Sequence, residues 1–265
     1  MGADSDHNNL MIKDVTIRFG GLIALNRISM EIKDGEIRGL IGPNGSGKTT
    51  MLNVISGIYR PVREDGGLVY FQGKDLLKLK PHEIAIIGIG RTFQNLCILK
   101  GMTVLENVLT GLHKTIGTGD FSFILSPRKT RSMEEQAKDK AFEILKFIRM
   151  DSYWNHIATD LSFGNQRLVE LARTLVGNPT LLLLDEPAAG LSEAEVKLLH
   201  DLLKKIQQEK RATILLVEHV MDLVMEVSDI VTVFDFGAKI AENEPIEVKR
   251  DPKVIEAYFG KNEET

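Results

Sequence analysis

The sequence predicts an α/β fold with a mainly parallel sheet, and three features carry that reading. Two unbroken apolar runs, TLLLLD at 180–185 and ATILLVE at 212–218, have the character of strands buried on both faces. Amphipathic stretches with capping residues alternate with such runs, the order that produces a parallel sheet. A glycine-rich stretch, GPNGSGKT at 42–49, lies between another short strand and a helix.

The elements follow in chain order. Residues 11–19 (MIKDVTIRF) and 25–32 (LNRISMEI) alternate apolar with polar and read as antiparallel strands. Asp34-Gly35 is a turn, and 36–41 (EIRGLI) is a strand entering the glycine-rich loop. The pattern gives a helix over 48–56, closed by Gly57, and a strand over 68–72. Pro81 suits the first turn of a helix over 81–87. Thr103 and Glu106 form a capping box ahead of VLENVLTGL. Residues 114–131, rich in Gly, Ser, Thr, Lys and Arg, read as a surface loop or insertion. Ser132 and Glu135 read as a second capping box, opening a helix with Ala137, Ala141, Ile144, Leu145 and Ile148 on one face.

A helix over 165–177 follows the stretch LSFGNQ. Ser192 and Glu195 cap a long helix whose inward face is Val196, Leu199, Leu203 and Ile206. A helix at 220–227, strands near 230–235 and 238–241, and short helices introduced by Pro245 and Pro252 complete the chain. One domain over 1–265 is expected: a core from 1–94 and 160–265 with an N-terminal antiparallel β subdomain, and an inserted α-helical subdomain over about 95–160 that carries the loop at 161–166.

Composition excludes several classes. With 43% hydrophobic and 26% charged residues among 265, the chain is of ordinary globular type. A formal net charge of −4 argues against a nucleic-acid coat, which would be basic. The single Cys97 makes neither an internal disulfide nor a zinc site, and a reducing compartment fits. No apolar run approaches the ~20 residues of a membrane span. The opening MGADSDHNNL is too polar for a signal peptide, and Asp6 breaks the myristoylation pattern. A soluble chain is expected, tied to a membrane only through a partner.

The chemistry begins at 42–49. GPNGSGKT satisfies G-x-x-x-x-G-K-[ST], in which glycines let the backbone curl so that several N–H groups point at phosphates. Gly42, Pro43, Asn44, Gly45, Ser46, Gly47, Lys48, Thr49 and Thr50 are therefore the candidate ATP-binding residues, with Lys48 on the β- and γ-phosphates and Thr49 on Mg²⁺. A P-loop NTPase core follows. LLLLDE at 181–186 supplies its complement: Asp185 at a strand end to hold Mg²⁺, and Glu186 to polarise the attacking water. LSFGNQ (Leu161, Ser162, Phe163, Gly164, Asn165, Gln166) starts a helix, so it offers a second anion cradle. One triphosphate needs one cradle; a surplus one suggests closure over another molecule's nucleotide.

At these residues the chain resembles the ATP-binding subunits of ABC transporters. LSFGNQ is similar to that family's signature, LSGGQ, which covers the γ-phosphate bound by the opposite subunit. The resemblance implies further roles: Gln94 in RTFQN as the Q-loop ligand sensing Mg²⁺ and γ-phosphate, His219 in VEHVM as the switch histidine, AAGLS at 188–192 as the D-loop, and Phe19 as an aromatic stacked on adenine. FGGLIALNRIS, MTVLENV, DEPAAGL and DPKVIEAYFG narrow the likeness to branched-chain amino acid uptake systems. Phe163, Asn165 and Ser192 depart from the commonest family pattern, and ENEP at 242–245 lacks a usual glycine. The resemblance implies ATP and Mg²⁺, a second ATPase subunit, membrane permease subunits at the cytoplasmic face, and indirectly a periplasmic or extracellular solute-binding protein. Related urea or amide importers and envelope-lipid exporters share the motor. Soluble non-transport ABC ATPases and P-loop kinases are the alternatives of another kind. Long coiled-coil insertions are missing, which disfavours the former, and Glu186 with the surplus cradle disfavours the latter.

Overall fold

The computed structural model describes residues 8–61, 66–114 and 127–259. Two sheets organise them. The first is antiparallel, built from β1 (Asn8–Phe19), β2 (Leu22–Lys33), β4 (Leu68–Phe71) and β5 (Lys74–Asp75) in the order β2-β1-β4-β5. The second contains β3 (Ile37–Ile41), β6 (Ile89–Arg91), β7 (Leu181–Asp185), β8 (Thr213–Val217), β9 (Ile230–Asp235) and β10 (Ala238–Asn243). Its order is β10-β9-β3-β8-β7-β6, parallel throughout except for the β10 edge.

Every residue of β3, β7 and β8 is buried, as their unbroken apolar runs require of strands covered on both faces. Successive side chains point to opposite sides. Leu181, Leu183, Leu215 and Val217 pack with the antiparallel sheet and α1 (Lys48–Ile55), while Leu182, Leu184, Ile214 and Leu216 pack on the other face. That other face is covered by α6 (Glu193–Lys210) and α7 (Met221–Val227), continuous with α3 (Val104–Leu109), α4 (Pro127–Phe147) and α5 (Phe163–Leu175). α2 (Pro81–Ile86), α8 (Pro245–Val248) and α9 (Pro252–Phe259) complete the helices among the described residues.

Local chemistry sets the boundaries. β1 and β2 are joined by Gly20-Gly21, with Gly20 at φ +59, a tight hairpin that glycine permits. The Thr103–Glu106 and Ser192–Glu195 capping boxes both form. The Ser132–Glu135 reading is corrected: α4 already runs from Pro127, so Ser132 lies inside the helix. The expected loop over 114–131 is corrected in the same way at 127–131, while 115–126 lie outside the described residues. The helix expected at 165–177 begins at Phe163 because Ser162 caps it, and ends at Leu175. β6, not anticipated, is a three-residue edge strand pairing with β7. Among the described residues, no helix is long and apolar enough to cross a membrane.

Candidate active site

In a parallel sheet all strands end on one edge, and the segments leaving those ends gather the chemistry. Here β3 leads into 42–47, β6 into 92–99, β7 into 186–192 and β8 into 218–220. β9 ends beside the first of these: Gly237 N donates to Ser46 O at 3.2 Å.

The phosphate loop is shaped by glycines that could not be replaced. Gly42 has φ +151, and a Cβ there would strike the Phe234 carbonyl oxygen. Gly47 has φ +103, and a Cβ would lie 2.5 Å from the Ala24 carbonyl oxygen. α1 starts at Lys48, so the amides of its first turn lack intrahelical partners. Asn44, Gly45 and Thr49 are exposed, Pro43 and Thr50 half-buried, and Ser46 and Lys48 buried. Lys48 Nζ donates to the carbonyls of Gly42 (2.7 Å) and Pro43 (2.9 Å). Burial pulls the Lys48 ammonium below its ordinary pKa, opposed by the charges of Glu186 and Asp185. α9 returns to this loop: burial pushes the Tyr258 phenol up to about 12, although its hydroxyl meets the backbone of Gly42.

At the end of β7, Asp185 is 1% exposed. Its Oδ2 pairs with Arg91 at 3.2 Å, and Arg91 also donates to Asn53 Oδ1 and Ser56 Oγ. Burial raises the Asp185 pKa, Arg91 counters it, and the Glu186 charge raises it further. Asp185 Oδ1 is buried with no hydrogen-bond partner among the described residues.

Glu186 sits at φ +51, left-handed for a residue that is not glycine. Its N–H donates to Val217 O at 2.8 Å, tying it to the end of β8, and the left-handed backbone turns the chain out of β7. Its carboxylate then gathers two distant residues: Gln94 Nε2 lies 2.9 Å from Oε2, and His219 Nε2 lies 2.9 Å from Oε1. Three residues chosen from separate parts of the sequence thus meet at one carboxylate.

Ser162 caps α5, its hydroxyl accepting from Asn165 N at 3.3 Å. Gln166 closes the turn by donating to Leu161 O (2.8 Å) and Thr159 O (3.2 Å). Leu161 packs against the core, whereas Phe163 is exposed. Gly164 is pressed against the Glu195 carboxylate, and Phe163 Cε1 lies 3.0 Å from where a Cβ on Gly190 would stand. The signature stretch therefore rests on the 186–192 segment and the start of α6. Phe19, at the end of β1, is exposed and meets Tyr59 edge to face, with ring centroids 5.1 Å apart.

Sequence reasoning missed the buried charges behind these groups. Glu218, 2% exposed, accepts from the backbone amides of Ala188 (2.5 Å), His219 (3.0 Å) and Val220 (3.4 Å). Burial raises its pKa, opposed by those amides. It ties the segment after β7 to the one after β8. Its place next to His219 was the only local signal. Arg91 and the α5 pair Arg167 and Glu170 carried none, because their partners come from remote segments.

A P-loop fold, a lysine-bearing phosphate loop after β3 and an acidic pair at the end of β7, two strands away, define a nucleotide-hydrolysing cassette. Residues 25–189 match the family model described as "ABC transporter". The chain is 41% identical over 251 residues to the high-affinity branched-chain amino acid transport ATP-binding protein LivG of Salmonella typhimurium, covering 95% of this chain and 97% of that protein. It is 38% identical to the corresponding protein BraF of Pseudomonas aeruginosa, over the same shares. Among solved structures, it superposes on the ADP conformation of MJ1267, an ATP-binding cassette of an ABC transporter, with a TM-score of 0.80 at 37% identity, covering 96% of this chain and 99% of that one. The dimeric post-hydrolysis cassette MJ0796, bound to ADP and Pi, gives 0.72 at 29% identity, covering 89% and 98%. The chain belongs to the ABC transporter family, as an ATP-binding subunit with ATPase activity.

Proposed function

We propose that the chain is the motor subunit of an importer for branched-chain or other hydrophobic amino acids. Two such subunits, identical or paralogous, would sandwich two ATP molecules beneath membrane permease subunits at the cytoplasmic face, supplied by an external solute-binding protein. The observation that carries the hydrolytic part is the convergence of Gln94 and His219 on Glu186, beside Lys48 and Asp185. The solute class rests on relatives at about 40% identity over 95% of the chain. The domain reads as one ATPase unit, with residues of about 95–160 as its helical subdomain.

In this reading Phe19 stacks on adenine while the loop amides and Lys48 neutralise the phosphates. Electrostatic positioning of this kind is the main means of accelerating phosphoryl transfer. Glu186 orients and deprotonates the attacking water. Gln94 and His219 hold that carboxylate and respond to the γ-phosphate. Mg²⁺ fits the donors present: the orphaned Asp185 Oδ1, the Thr49 hydroxyl and the amide oxygen of Gln94 are all hard oxygens. Held by these residues, the cation would supply positive charge that offsets the charge developing on the phosphate oxygens.

The sandwich is supported by the signature stretch, whose Phe163 and Gly164 rest on Gly190 and Glu195 and leave it to serve a neighbour's nucleotide. Permease docking is supported by an apolar groove of about 890 Å³ beside Gln94, where Ile58, Ile86, Phe93 and Leu99 are exposed.

Ser162→Arg tests the sandwich. The expected result is loss of ATP-driven dimerisation by light scattering, with nucleotide affinity of the monomer nearly intact. Losing the cap costs about 1 kcal/mol, so thermal melting should show a folded chain. If monomer affinity vanishes instead, the stretch serves its own nucleotide. Reconstitution with the co-purifying membrane subunits tests the solute: leucine with its binding protein should stimulate ATP hydrolysis. Stimulation by urea, or by a lipid without any binding protein, would replace the amino-acid reading.

A further inference from the structure

Gln94 reaches Glu186 only if the backbone of its own loop is held still. The residue that holds it is Arg167, in the second turn of α5. Its NH2 donates to Gln94 O at 2.7 Å and its NH1 to Phe93 O at 3.1 Å. One turn on, Glu170 accepts from Arg167 NH1 at 3.3 Å and, through its other oxygen, from Cys97 N at 3.4 Å. One buried pair on the signature helix thus grips the 93–97 segment at both ends. The guanidinium suits the task, because its planar fork reaches two adjacent carbonyls at once, which an ammonium cannot do in the same geometry. The ring of Phe163, inside the signature stretch, lies 5.3 Å over the same guanidinium and also leans on Gly190.

We infer that Arg167 is a positioning residue that couples the two ATP sites of the dimer. A protomer's signature stretch grips its partner's nucleotide, while its Gln94 and Glu186 serve its own. Phe163 and Arg167 lie on the direct line between them. Displacement of the signature stretch shifts the Arg167 fork, and with it the Gln94 carbonyl and the amide that holds Glu186. The inference rests on the sandwich reading above.

The test is a double-mutant cycle on ATP hydrolysis by the full chain. Arg167→Lys keeps the charge opposite Glu170 and loses the fork. It should lower kcat by about 10-fold, the scale of a charge-assisted hydrogen bond, with KM for ATP and monomer nucleotide affinity unchanged. In a Gln94→Ala background the same substitution should cost almost nothing further, since there is no amide left to position. Phe163→Leu, which removes the ring face, should lower kcat in the same direction and be non-additive with Arg167→Lys. Fully additive losses would overturn the inference, because a merely structural arginine weakens the fold regardless of Gln94. So would an unchanged kcat in Arg167→Lys. ATP-driven dimerisation of Glu186→Gln, measured alongside, separates the two levels. If no dimer forms there, the sandwich itself fails; if it forms and the cycle is additive, only the role of Arg167 fails.

Discussion

Glu186→Gln should lower ATP hydrolysis by at least ~100-fold, the typical contribution of a general base, and leave ATP binding in place. The substitution is informative because it preserves the local geometry. The amide oxygen of the new side chain can still accept from Gln94, and its NH2 faces His219 Nε2, in place of the two 2.9 Å contacts. What is lost is a site that accepts a proton from water. With turnover stopped and both cradles still able to hold triphosphate, an ATP-dependent dimer should accumulate in light scattering. Unchanged turnover would remove Glu186 from the role of base.

The second large effect belongs to Asp185 and separates stability from chemistry. Asp185→Ala leaves the Arg91 guanidinium buried without its carboxylate. Breaking a buried pair by removing one partner costs about 3–5 kcal/mol, and this should appear as a lower denaturant midpoint. Mg²⁺-dependent hydrolysis should vanish with it. The combined Arg91→Met, Asp185→Leu variant removes both charges and should regain most of the stability, since apolar replacement of a buried pair is often neutral or better. It should regain no activity. Recovery of hydrolysis in that variant would show that no carboxylate is needed at the end of β7.

Much of this was written in short range. The unbroken runs at 180–185 and 212–218 read as doubly covered strands, and the alternation over 11–19 and 25–32 as an antiparallel pair, and those strands form. The phosphate loop is contiguous, so its glycines and lysine declare themselves. What failed to show depends on partners far away. β6 has three residues and is a strand only because β7 lies beside it. Ser132 and Glu135 have capping spacing, but the same spacing occurs inside any helix, and α4 had already begun at Pro127. Glu218, Arg91, Arg167 and Glu170 look like surface charges in a linear string. Each is buried because carbonyls, amides or a countercharge arrive from another segment.

The paired anchors on the Glu186 carboxylate bear on how the cell's fuel is conserved. A transport motor idles whenever its cargo is scarce, and a loosely swinging base would burn nucleotide throughout that wait. Here both oxygens are occupied, one by an amide and one by an imidazole, each 2.9 Å away. Under the proposed mechanism, leakage in the resting subunit would be governed by how often those two grips relax together, and thrift would be set by the same pair of side chains that serves the productive stroke.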